Sequence, residues 1–200
     1  MLTVKPPEDA SPEWTTQIAE LFPPQGHWTE GEYLALETNR LIELVDGRLE
    51  FLPMPTTLHQ WLATALEALL IDASSRRHVV TAPYRLRIRK GRYREADVLY
   101  SAIPFAPSAS TTDAADIALE VVSEGSEASH RDYVDKRADY AVAGVREYWV
   151  IDPLDRSVTR MSRDGETLVI RDDAVSAGRI VSDILPDFAV TLPDLFEQFD

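Results

Sequence analysis

The clearest run of apolar and polar positions lies between residues 116 and 153, DIALEVVSEGSEASHRDYVDKRADYAVAGVREYWVIDP, and it predicts strand, loop, helix and strand. Residues 117–122 are apolar on both faces, the pattern of a strand covered on both sides, except that Glu120 interrupts one of them. An ionised carboxylate buried without a partner costs several kcal/mol or shifts its pKa, so Glu120 calls for a neighbouring cation, either a metal or a Lys/Arg. A Glu at a strand end that reaches solvent is the plainer alternative. A polar loop, 123–129, leads into a helix over 130–143, with Ser129 and Asp132 as a variant capping box and Gly144 at the left-handed C-terminal cap. Asp132, Lys136 and Tyr140, spaced four apart, share one flank of that helix. Taken alone, such a flank reads as a solvated, salt-bridged face. Residues 147–152 return as a second strand, and a strand, crossover helix and strand of this length predict a parallel pair with right-handed connection.

The same reading extends along the rest of the chain. Residues 1–26 carry five prolines and no long periodicity, so they read as an arm ahead of a domain spanning 27–200. Thr29 and Glu32 form a capping box for a short helix. Residues 41–45 and 48–52 flank Asp46-Gly47, a hairpin signal, with Glu43 as an oddly placed carboxylate in mid-strand; a cross-strand pair with Arg48 is the plain account of it. Thr57 and Gln60 open the next helix, where Leu58, Trp61, Leu62, Ala65, Leu66 and Leu69 mark the core stripe and His59 lies off it. Residues 79–90 predict one long or two consecutive strands broken at Pro83. There Arg85, Arg87 and Arg89 alternate with Leu86 and Ile88, giving one basic and one apolar face. Residues 96–100 are a further strand bearing Asp97, 103–116 a loop, 158–162 and 167–171 a meander about Asp164-Gly165, and 188–199 a strand and short helix.

Composition narrows the chemistry. Two hundred residues with 44% hydrophobic content suit one globular domain with a proper core, and the absence of cysteine removes disulfides, thiolate metal sites and cysteine nucleophiles. Four scattered histidines argue against a zinc cage. No signal peptide and no long apolar span is evident, so the expectation is a cytoplasmic protein. A net charge of -14 opposes non-specific binding to duplex nucleic acid, yet Arg85, Arg87, Arg89, Lys90, Arg92 and Arg94 form a local basic patch that offers a DNA-contacting surface.

Asp97 and Glu120 on successive strands suit a hard divalent ion, because Mg²⁺ takes oxygen ligands and keeps several waters. The order helix, three strands, helix, strand, with those two carboxylates, resembles the PD-(D/E)XK nuclease superfamily. Over residues 28–196 the chain is similar to the Uma-type restriction endonuclease-like family, on the strength of Glu43 to Gly47, His59, Arg94 to Val98, Leu119 to Ser123, Asp132 with Lys136 and Tyr140, Ala143 to Val145, Glu147 to Trp149, and Asp152-Pro153.

The resemblance implies an α/β fold with a restriction endonuclease-like core, a mixed β-sheet flanked by helices, an N-terminal helix-hairpin extension and a C-terminal meander. It implies a Mg²⁺-dependent (or Mn²⁺-dependent) endonuclease acting on DNA. Asp97, Glu120 and the Val121 carbonyl would hold the metal, Glu43 would touch the ion or its water, and His59, Asp132 and Tyr140 would support them. A homodimer is consistent with cutting both strands. Two positions depart from the superfamily motif. Ala96 replaces the proline before Asp97, which changes little. Val122 replaces the lysine two after Glu120, and valine can neither position water nor stabilise charge; Lys136, one helix along, is the substitute if its ammonium reaches back. The alternatives are a catalytically weak relative that binds nucleic acid or a protein partner, and an accessory protein with no chemistry.

Overall fold

The computed structural model describes residues 22–37, 40–123, 125 and 130–199. The arm expected over 1–26 and Ser129 of the expected capping box lie almost wholly outside these. A six-stranded mixed sheet forms the centre, in the order β11-β10-β9-β8-β6-β3. Its strands are β3 (Val79–Thr81), β6 (Val98–Tyr100), β8 (Ile117–Val121), β9 (Glu147–Asp152), β10 (Ser157–Asp164) and β11 (Thr167–Val175). β8 and β9 are parallel, as the crossover helix requires, and the other neighbours are antiparallel. All five residues of β8 and all six of β9 are buried, so this pair is the spine of the molecule.

The sheet is covered on both faces. On one lies α2 (Thr57–Ala73), together with β12 (Arg179–Val181), β13 (Ala189–Thr191) and α4 (Leu192–Phe196). Their core joins Leu62, Leu66, Leu70, Ile117, Leu119, Val121, Trp149 and Phe188. On the other lies α3, wound with π spacing over Arg131–Lys136 and as α-helix over Arg137–Val142. It packs Tyr140 and Ala141 against Ala118, Val122, Tyr148 and Val150. The helix ends on Gly144, at φ 83°, which the N–H of Val145 completes by donating to the Tyr140 carbonyl at 3.0 Å.

A second sheet, ordered β2-β1-β5-β4-β7, gathers β1 (Ile42–Val45), β2 (Arg48–Phe51), β4 (Arg85–Arg89), β5 (Arg92–Arg94) and β7 (Thr111–Thr112). The expected hairpin is therefore no isolated extension, because β1 pairs with β5. The break at Pro83 divides the two sheets, with β3 in one and β4 in the other. Asp46 and Gly47, at φ 50° and 80°, turn the hairpin. Helix α1 (Glu30–Leu34) carries the expected capping box from Thr29 to Glu32. No helix of the described residues is long and apolar enough to cross a membrane.

Two details of α2 differ from the sequence expectation. Its N-cap is Thr56, whose hydroxyl accepts from the His59 N–H, one residue earlier than predicted. Its buried stripe is His59, Leu62, Leu66 and Leu70, while Leu58, Trp61 and Leu69 are exposed. The helix is rotated, and His59 faces inward.

Candidate active site

The antiparallel register Val98↔Leu119 places Asp97, just before β6, opposite Glu120 on β8. The Val121 N–H donates to Asp97 Oδ2 at 2.8 Å, which fixes the carboxylate at the end of the strand. His59 reaches the same oxygen from α2, its Nε2 at 3.2 Å. Glu120 meets side chains of α3. There Lys136 Nζ lies 2.8 Å from Glu120 Oε2, and the Tyr140 hydroxyl donates to Oε1. Asp132 Oδ1 is 3.4 Å from the same ammonium.

The flank of Asp132, Lys136 and Tyr140 is thus buried and faces the site, with Lys136 only 2% exposed. Its neighbour on the central strand accounts for that. A solvated face would leave Glu120 without a cation in the core. The π-wound turn holds Asp132 and Lys136 over the sheet, and Tyr148 on β9 anchors it by donating to the Asp132 carbonyl at 2.8 Å. Unusual winding of this kind concentrates at functional sites.

Negative charge is in surplus here. Burial raises the Glu120 and Asp132 carboxyls above their ordinary values, and the neighbouring carboxylates add to a rise that Lys136 only partly offsets. Burial alone would drive the Lys136 ammonium towards neutrality, but Glu120, Glu43, Asp132 and Asp97 together hold its proton more tightly than usual. Burial likewise lowers His59, and its bond to Asp97 more than reverses that.

Glu43 has a different place from the one expected. One oxygen accepts from Arg94 at 2.5 Å and the other from the Glu95 N–H at 3.1 Å. Its field still supports the charge on Lys136. Across the strands it faces Glu50, and it has no bond to Arg48. Burial would raise the Glu43 carboxyl, but Lys136 and Arg94 hold it below its ordinary value. Arg94 also binds Asp139 of α3 at 2.7 Å and so ties the second sheet to the helix that carries Lys136. This Glu43–Arg94–Asp139 link is the part of the site that sequence reasoning missed. The one available hint was Arg94, which needs acidic partners if it is buried.

The basic strand is also used differently. Arg85 is buried, paired with Glu95 at 3.3 Å and stacked on Tyr33; Arg87 pairs with Glu30 and Arg89 with Asp46. These guanidiniums fasten α1 and the hairpin to the second sheet.

Between the carboxylates lies a cavity of about 20 Å³, lined by Asp97, Glu120, Val121, Asp132 and Lys136 among others. That is room for one water or one ion. Asp132 Oδ1 is buried there, with the Lys136 ammonium at 3.4 Å and the Arg131 guanidinium at 3.6 Å as its contacts. Among the described residues no three His, Cys, Asp or Glu side chains converge closely enough to hold a metal alone. The donor set that does fit is two carboxylates, a backbone carbonyl and water, which is acceptable to Mg²⁺. Surplus negative charge favours such an ion.

A mixed sheet with a parallel central pair, helices on both faces, and Asp and Glu opposed at neighbouring strand ends with a lysine beside them define a restriction endonuclease-like protein. The chain belongs to the family Uma2, described as "Putative restriction endonuclease", whose model matches residues 31–193. In fold it is similar to the crystal structure of a putative nuclease belonging to DUF820 from Anabaena variabilis, at 18% identity and a TM-score of 0.66 over 84% of this chain and 97% of that one. No curated protein matches it.

Proposed function

We propose that the protein is an endonuclease that hydrolyses phosphodiester bonds of DNA with Mg²⁺ or Mn²⁺ held by Asp97, Glu120 and the Val121 carbonyl. The observation that carries this reading is the Lys136 ammonium 2.8 Å from Glu120, which supports Lys136 as the substitute for the lysine that Val122 replaces. When bound, the ion would supply an activated water and a charge for the phosphate oxygens. The chain's own groups do the rest. Val121 N–H and His59 orient Asp97, and Tyr140 orients Glu120. Lys136, its ammonium beside Glu120, would stabilise the negative charge that develops on the phosphate.

The same contact gives a second reading some weight. An ammonium already compensating Glu120 and Asp132 lets the fold stand without metal, as a module kept for binding would. Incubation with circular single-stranded and supercoiled duplex DNA, in Mg²⁺ and in Mn²⁺, separates the two. Cleavage that disappears in Asp97→Asn and Glu120→Gln supports the enzyme. No cleavage of either DNA by the parent protein in either metal leaves the binding module.

A further inference from the structure

The cavity of about 20 Å³ between the carboxylates has room for one water or one ion, so any larger group must lie at its mouth. Three basic side chains line it: His59, Lys136 and Arg131. Two of them are engaged. His59 Nε2 is 3.2 Å from Asp97, and the Lys136 ammonium is buried between Glu120 at 2.8 Å and Asp132 at 3.4 Å. Arg131 differs. Its Nε is buried with no hydrogen-bond partner, and its one ion-pair partner among the described residues, Asp132 Oδ1, stands 3.6 Å away, beyond hydrogen-bond reach. Its side chain is nonetheless 22% exposed, so a ligand arriving from solvent meets the guanidinium before the ammonium.

The winding of α3 accounts for its place. In an α-helix residues five apart point about 140° away from one another. The π winding of Arg131–Lys136 closes its bonds over five residues and brings the two ends to nearly the same side, so Arg131, Asp132 and Lys136 all line the cavity. The chemistry of the group then selects its ligand. A guanidinium has five N–H donors and no acceptor, in a planar fork that matches two oxygens of one oxyanion. Such a pair makes short, charge-assisted hydrogen bonds, which a neutral acceptor forms more weakly.

We infer that Arg131 grips the substrate phosphate at the mouth of the cavity, its fork on the phosphate oxygens. The inference rests on the endonuclease reading for the identity of the oxyanion and for the divalent ion that offsets the surplus carboxylates, but phosphate binding can be measured without cleavage. Phosphorus NMR titration of the whole chain with inorganic phosphate at fixed ionic strength, in Mg²⁺ and in chelator, should show saturable binding that is tighter in Mg²⁺ and that acetate does not displace. Arg131→Ala should weaken it at least about tenfold, the loss expected for charge-assisted hydrogen bonds, while Mg²⁺ affinity measured without phosphate does not fall. Arg131→Lys keeps a cation beside Asp132 but lacks the fork, so it too should bind phosphate more weakly than the parent. No saturable phosphate binding in either condition, displacement by acetate, a loss that merely follows lost Mg²⁺ binding, or either variant binding phosphate like the parent would each overturn the inference. Failure of the endonuclease reading looks different. It would be phosphate binding that depends on Arg131 in a protein that cleaves no DNA in either metal, whereas Arg131→Ala cutting DNA with the parent KM and kcat would leave the enzyme intact and overturn the role of Arg131.

Discussion

Lys136 gathers the buried charges around Glu120 onto one side chain. It is buried with Glu120 and Asp132 within reach, and the fields of Glu43 and Asp97 bear on it as well. Removing one partner of a buried ion pair strands the other, at a cost of about 3–5 kcal/mol. Lys136→Ala should therefore unfold at lower urea in chelator, by about that amount. If its charge also serves the transition state, turnover should fall about 10²-fold or more while metal affinity, measured calorimetrically, stays within a few-fold of the parent. A variant that is less stable yet cleaves at the parent rate would leave Lys136 a structural counter-ion alone. Glu120 was legible as a misplaced charge because the run around it is apolar on both faces, and that argument also demanded the cation found beside it. Glu43 was noticed for the same reason, but its partner was out of reach, because the Arg94 contact depends on how β1 and β5 pair rather than on any local spacing.

At the level of elements, the strand, helix and strand of 116–153 could be read because each signal in it agrees: a doubly covered strand, a glycine cap and a crossover of suitable length. Helix α2 shows where such reading runs out. Leu58, Trp61, Leu62, Leu66, Leu69 and Leu70 give it apolar groups on two sides, so periodicity alone leaves the rotation open by about one position. Packing against Leu119, Val121 and Trp149 selects Leu62, Leu66 and Leu70, and this same rotation carries His59 to Asp97. Leu70→Ala should cost about 2–5 kcal/mol, since it leaves a cavity in a closed core, whereas Leu69→Ala, 37% exposed, should cost under about 1 kcal/mol. Equal shifts in urea midpoint would mean that the helix faces the other way. The partners of the basic strand were hidden for a related reason. Alternation shows that Arg85, Arg87 and Arg89 share a face, but not that Glu30, Glu95 and Asp46 are folded against it.

Across the whole molecule, a formal charge of -14 coexists with a core that buries several carboxylates, each with a cation or N–H donor near it. This has a thermodynamic consequence for metal. Because Lys136 already compensates Glu120, the chain should fold cooperatively in chelator, unlike small domains whose metal holds the fold together. A divalent ion that binds only the folded form adds RT ln(1 + [L]/Kd), about 2.7 kcal/mol at a hundredfold excess over Kd. Thermal unfolding in rising Mg²⁺ or Mn²⁺ should therefore show a saturable upward shift in Tm. Asp97→Asn should abolish that shift, because the substitution removes a charged ligand and keeps an oxygen that can still accept from the Val121 N–H. Non-specific screening of an acidic surface also raises Tm, but it would act equally on the variant, and matched ionic strength with Na⁺ would reproduce it. If parent and variant rise together, the ion acts on the surface charge of the molecule, and the pocket between Asp97 and Glu120 has no metal to hold.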